Sequence, residues 1–197
     1  VFDFSGDALC LDFVNTLGDR PRGAEERLKG PADLVAWAGQ AGIVSRREAG
    51  DLSVWIERHP RRAARAFADA IELRECLYRV FSAGTSGDHA APADLALLND
   101  LVGPSLAHLR LAATEHGYDW GWTGGDPSLD RLLWPVVRSA ADLLVSPEGR
   151  QVRECASDVC SWLFVDRSRT GRRRWCSMRT CGNRAKARRF YERRHAP

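Results

Sequence analysis

Apolar residues return every three or four positions through most of this chain, a rhythm that predicts helices rather than strands. Pro31 opens a helix that runs through Trp37 to Ala41, with Gly42 as its stop. Ser45–Arg46–Arg47–Glu48 has the form of a capping box, and the helix it opens presents Leu52, Trp55 and Ile56 on one face. After Pro60 a longer helix carries Ala63, Phe67, Ala70, Ile71, Arg74, Leu77 and Phe81 as a core stripe. Residues 82–91, rich in Gly, Ser and Ala, read as a loop. Pro92 starts a helix with Leu95, Leu98 and Leu101 as its seam and Gly103–Pro104 as its end.

Elsewhere the period is two. Leu106–Leu111 and Tyr118–Trp122 alternate about Glu115–His116–Gly117, the pattern of a hairpin. Phe2 and Phe4, then Leu9–Val14, read as two short strands around Ser5–Gly6–Asp7, the second apolar on both faces and therefore central. Leu129 to Val145 is helical again, kinked or restarted at Pro135, and Ser146–Pro147–Glu148–Gly149 is a hinge. The result is an α+β chain: a mixed helical domain with small antiparallel strands over residues 1–146, and a separate small module over 147–197.

Composition adds a polarity between the halves. The 44% apolar content supplies a core for the larger part. No apolar run of about eighteen residues and no charged-then-apolar leader is visible, which leads to the expectation of a cytoplasmic protein without a membrane partner. Residues 150–197 hold 14 Lys and Arg against 4 Asp and Glu, a balance of +10; residues 1–149 hold 15 against 22, a balance of −7. Such a split points to a basic surface that meets a polyanion. An acidic domain folded back to mask that surface is a further expectation.

The candidate chemistry lies in that basic quarter. Cys155 and Cys160 are followed, after fifteen residues, by Cys176 and Cys181. Two pairs of equal internal spacing on a chain that can double back provide four thiolates for one tetrahedral, structural Zn2+. Two disulfides are the alternative, and they need an oxidising compartment that nothing here signals. About forty residues bury too little apolar surface to fold alone, so metal binding contributes on the order of 10 kcal/mol to this part. Replacing one ligand by Ser is then expected to unfold the module and spare the larger domain. Trp162–Leu163–Phe164–Val165 reads as a strand, residues 167–171 as a turn and residues 172–175 as the returning arm of a hairpin. Ser177 can cap a helix running through Cys181 to about Arg194, which completes a treble-clef plan. Trp162, Phe164 and Trp175 are expected to cover the metal. Cys10 and Cys76, in apolar surroundings, read as ordinary buried thiols.

Two stretches resemble known families. Trp175–Cys176–Ser177–Met178, with Cys181–Gly182–Asn183–Arg184–Ala185–Lys186 and the strand Trp162–Asp166 with Ser168 after it, is similar to the CGNR-type zinc finger. Gly6–Asp7–Ala8–Leu9–Cys10–Leu11–Asp12–Phe13–Val14–Asn15–Thr16 and Asp33–Leu34–Val35–Ala36–Trp37 resemble the ABATE domain, which commonly precedes that finger in bacteria. The resemblance implies a stress-induced transcription regulator whose large α+β domain has an unassigned ligand.

The basic residues fit a nucleic-acid role. Arg172, Arg173 and Arg174 on the arm join Arg179, Arg184, Lys186, Arg188, Arg189, Arg193 and Arg194 in one array opposed only by Glu192. A helix so charged can enter a major groove or follow phosphates. Trp175, Phe190 and Tyr191 among the arginines would suit unpaired RNA bases instead, so duplex DNA is the first expectation and RNA the second. A metal-stabilised protein-interaction module is a third. An enzyme is not expected, because the scattered His59, His89, His108, His116 and His195 lack ligand spacing, and no phosphate loop or nucleophile elbow is present; Gly124–Gly125–Asp126 reads as a turn. In the larger domain Asp12, among apolar neighbours, must find a donor such as Asn15, Thr16 or Arg20. Asp12, Asn15 and Arg20 thus mark either a ligand-binding corner or a structural tie. A homodimer offering two basic helices to a palindromic site fits the same picture.

Overall fold

The computed structural model describes residues 2–195 apart from 21, 22, 24 and 125–127. Gly125 and Asp126 of the glycine-rich turn therefore lie outside the described residues. The longest element is helix α4, Pro60–Ser86, so the helices on either side take lower and higher numbers: α1 Leu9–Val14, α2 Pro31–Gln40, α3 Arg46–Arg58, α5 Pro92–Leu106 and α6 Trp134–Val145. α4 begins with Pro60 in its first turn and stops at Gly87, whose φ of 84° suits a residue without Cβ. Its buried face, Ala63, Ala70, Leu73, Leu77 and Phe81 among others, packs against α1, α2, α3 and α5. The capping box of α3 is formed: Ser45 Oγ accepts from Glu48 N at 3.2 Å and Glu48 Oε2 accepts from Ser45 N at 2.9 Å. These contacts are what hold the larger part together. Among the described residues no helix is long and apolar enough to cross a membrane.

Four expectations of the local reading give way. Leu9–Val14 is a helix rather than a strand, held by Ala8 C=O accepting from Leu11 and Asp12 N–H and inserted between α4 and α6. Five apolar residues and Asp12, buried on nearly every side, read the same in either conformation. No strand forms at Phe2–Phe4. α4 continues to Ser86, through part of the supposed loop, because Ser, Ala and one Gly do not stop a helix already propagating. α5 likewise runs past Gly103–Pro104 to Leu106; a proline in the last turn forfeits one bond, to the carbonyl of exposed Asp100.

Among the described residues the strands form three antiparallel pairs. β1 Leu17–Gly18 and β2 Glu25–Glu26 make a minimal ribbon. β3 Leu109–Thr114 and β4 Gly117–Trp122 form the expected hairpin about Glu115–His116, projecting so far that residues 111–120 are exposed. A short 3₁₀ turn at Leu129–Leu132 precedes α6, which restarts with Pro135 in its first turn. The third pair, β5 Val152–Glu154 and β6 Leu163–Val165, follows a 3₁₀ turn at Pro147–Gln151 where a hinge was expected.

β5 and β6 tie the basic quarter to the rest. Val152, Leu163 and Val165 belong to the principal core, and β5 packs on α4. The partner of β6 is β5, not the returning arm. Residues 172–175 are irregular, fixed by Arg174 C=O accepting from Ala156 N at 2.8 Å and by Asp166 Oδ2 accepting from Arg173 N at 2.9 Å. The cysteine module is therefore not free-standing, and the expectation that it unfolds alone does not suit this packing.

Candidate metal centre and basic helix

Cys155 follows β5, Cys160 precedes β6, Cys176 precedes a single π-helical turn, Met178–Gly182, and Cys181 lies within that turn. All four are buried and their sulfurs lie within 4.8 Å of one another. Cys160–Cys176 and Cys176–Cys181 are 3.8 and 3.7 Å apart. A tetrahedron with bonds of about 2.3 Å requires sulfurs roughly 3.8 Å apart, whereas a disulfide needs about 2.05 Å. The geometry fits one structural zinc and not two disulfides. Sulfurs this close also conflict when no cation stands between them. Hydrogen bonds from Cys160 and Cys176 hold Cys155 far below the usual thiol range, while the bond to Cys155 pushes Cys176 well above it. A divalent cation removes the conflict by stabilising all four thiolates.

The surroundings of the cluster account for several neighbours. Trp162, Phe164 and Trp175 pack on the sulfurs as expected. Arg27 lies over Trp162 at 4.8 Å, and a Cβ on Gly18 would sit 3.4 Å from the indole nitrogen, so the β1–β2 ribbon closes this side. A Cβ on Gly182 would meet Met178 Sδ at 2.7 Å and Trp175 Cδ1 at 3.2 Å. That close approach is why glycine follows the last ligand. Ser177 gives no side-chain cap; its carbonyl accepts from Gly182 N at 3.0 Å instead.

The final helix, α7 Asn183–His195, continues from the π turn. Arg184, Lys186, Arg188, Arg189 and Arg193 on it are exposed, as are Arg172, Arg174 and Arg179 before it. Arg188 is paired with Asp158 at 2.7 Å. Phe190 and Tyr191 are also exposed, with Arg194 over the Phe190 ring at 4.7 Å. Arg173 departs from this array. Its Nε donates to Trp175 C=O, and its terminal nitrogens donate to Asp7, Val165 C=O, Ser5 C=O and Cys176 C=O, while its plane lies 4.3 Å from Phe164. Five donors are engaged, none is left for a phosphate, and Arg173 is a strut between finger and N-terminal segment.

The proposed ligand corner separates into three structural ties. Asp12 Oδ1 accepts from Gly6 N at 2.8 Å, and burial pushes its carboxyl up to about 7. Asn15 Nδ2 donates to Leu163 C=O at 2.8 Å and its Oδ1 accepts from Leu163 N at 2.9 Å, as a neighbouring strand would. Arg20 donates to Leu17 and Val14 carbonyls and to Glu75, with Tyr78 beneath it at 4.0 Å. Asp12's donor is thus a backbone amide, not one of the three side chains expected. Cys10 and Cys76 are buried thiols pushed up by desolvation to about 12 and about 11.

Two residues that matter to the site were placed in their elements by the sequence but given no role there. Arg74, 2% exposed within the α4 stripe, grips Glu26 with two bonds of 2.7 Å and anchors β2. Asp166, also buried, orders the turn after β6 through Ser168 and Arg173 amides, and a bond from the Ser168 side chain, helped by those amides, holds its carboxyl below the usual range. An arginine on an apolar helix face was the available signal for the first.

Comparison with known families agrees with this geometry. A family model, ABATE, described as a putative stress-induced transcription regulator, matches residues 7–147, and the CGNR zinc finger model matches residues 151–194. No curated protein matches the chain.

Proposed function

The chain belongs to the ABATE family and carries a CGNR zinc finger, and from that premise we propose that it is a cytoplasmic, non-enzymatic transcription regulator that binds duplex DNA through its finger. The finger is read as a treble clef: knuckle, hairpin and a helix seeded by the last two ligands. The observation that carries the reading is α7, a helix with exposed cations around it and the four-cysteine cluster at its root. Helical arginines suit phosphate contacts and bidentate pairing with guanine, and counterion release would supply much of the affinity. Arg184, Lys186, Arg189 and Arg193 are the contact residues, with Arg172, Arg174 and Arg179 beside them, Arg188 once released from Asp158, and Arg173 as support. RNA is the second reading, favoured by the exposed Phe190 and Tyr191 rings, which could stack on unpaired bases.

The test is selection of the zinc-loaded chain against random duplex and single-stranded RNA pools, with affinity followed over salt. A duplex motif is expected, with the salt slope reduced by about 2 in Arg184→Gln/Arg189→Gln. RNA enrichment would move the assignment to the second reading. No binding to either pool would overturn both.

A further inference from the structure

The projecting β3–β4 hairpin leaves a groove of about 500 Å³ between itself, α6 and the base of the finger. Its volume falls in the range of small-molecule sites. One wall is apolar and aromatic: Trp120 and Trp122, which share a face of β4, with Pro135 and Leu143 opposite. Trp122 is backed by Trp134 at 6.1 Å, which in turn stacks on His108 at 3.8 Å, so this wall is braced.

The polar lining holds the carboxylates of Asp7, Asp142 and Glu148 and the guanidinium groups of Arg138 and Arg167. Carboxylates at the groove already have cations: Arg167 grips Glu148 with contacts of 3.3 and 2.8 Å, and Arg173 holds Asp7. Asp142 is 68% exposed, and its contact with Arg138 Nε is 3.3 Å. The terminal nitrogens of Arg138 make no hydrogen bond among the described residues, though its guanidinium lies 4.9 Å from the Trp120 ring centre. Ser139 Oγ accepts from Cys10 N at 3.1 Å, and its hydroxyl also bonds the Cys10 side chain, so it is spent on α1. The terminal nitrogens of Arg138 are donor capacity set beside a flat apolar wall.

We propose that this groove binds a small planar aromatic carboxylate, its ring against Trp120 and Trp122 and its anionic group held by the terminal nitrogens of Arg138. Guanidinium offers a carboxylate two parallel bonds, and the indoles offer the ring a stacking surface. Arg167, from the finger's matched region, lines the groove beside Glu148, so residues of both matched regions face it. This site is distinct from the basic helix, and its occupancy does not depend on nucleic-acid binding.

Calorimetric titration of the full, zinc-loaded chain tests it, with 2-naphthoate, neutral 2-naphthamide and the cationic 2-naphthylmethylammonium as probes. Naphthoate is expected to bind most tightly. Arg138→Gln should weaken naphthoate about tenfold and leave naphthamide within about twofold. Trp120→Leu should weaken both by about fivefold or more. Because Trp120 and Arg138 lie at the surface, unchanged far-UV spectra are expected, and the naphthoate-to-naphthamide ratio in Arg138→Gln stands even if Trp120→Leu fails to fold. No naphthoate binding at millimolar concentration, tighter binding of the cation, or equal loss for acid and amide in Arg138→Gln would each overturn the proposal.

Discussion

Asn15→Ala isolates the joint between the two matched regions. Asn15 is 2% exposed and Leu163 is fully buried, so the amide that Asn15 supplies is the partner of both the Leu163 N–H and its C=O. Truncation removes two hydrogen bonds and leaves two backbone groups away from water, each costing about 1–3 kcal/mol. A water entering the space left by the side chain would return part of this, giving an expected loss of roughly 2–5 kcal/mol against a typical total of about 5–15 kcal/mol. Urea unfolding of the zinc-loaded protein, followed by far-UV circular dichroism, reads the loss, and zinc transfer to a chromogenic chelator reads its consequence at the cluster. β6 leads directly from Cys160, so zinc transfer should be faster in the variant. Asn15→Asp should be at least as damaging, because a carboxylate cannot donate to the Leu163 carbonyl and is itself buried. A change below about 0.5 kcal/mol in Asn15→Ala, with unaltered zinc transfer, would refute the idea that this side chain acts as a strand edge for β6.

Three further outcomes are expected. Cys176→Ser should lose zinc and lower the urea midpoint of the whole chain in a single transition, because Val152, Leu163 and Val165 lie in the principal core; two separated transitions would favour an independent module. Gly182→Ala should cost about 1–3 kcal/mol through the clash with Met178 and Trp175, and a Met178→Ala background should relieve most of it, since Met178 lies closest; an equal cost in both backgrounds would point elsewhere. Burial raises Asp12 from its ordinary value to about 7, so the folded state holds a proton that the unfolded state has released between about pH 4 and 7. Stability from this group is full below about pH 4 and is lost as pH rises through 7. Asp12→Asn, which can still accept from Gly6, should therefore gain on wild type as pH rises across that window, read by urea midpoints at successive pH values.

What could be read from the sequence divides by how local its cause is. The α3 capping box, the prolines opening α2, α4 and α5 and the two matched cysteine pairs are each set by residues within a few positions of one another, and each forms as the spacing requires. Leu9–Val14 could not be resolved, because burial on every side erases the periodicity that separates helix from strand. Asn15 and Arg173 escaped for a different reason. Their partners lie 148 and as many as 168 positions away, and an arginine beside Arg172 and Arg174 carries no local mark of having turned inward. The charge count was right for the segment and wrong for that one member.

The stability of α7 follows from this division. A helix of 13 residues is marginal by itself, and this one buries almost no apolar surface while placing Arg184 and Arg188, and Arg189 and Arg193, four apart. Glu192 near Arg188 at 3.9 Å and the cations of the last turn beside the helix C-terminus offset only part of that repulsion. Order must come from the N-terminal end, where Cys181 fixes the π turn from which α7 grows and so supplies the costly nucleus. The cluster is held in turn by β5 and β6, and these are held by Asn15, Arg173 and the α4 core. Support therefore runs from the large core through β6 and the metal to the basic helix. A helix that repels itself, held at its root and by the Arg188–Asp158 pair but not beyond, gains most from an anion along its second half.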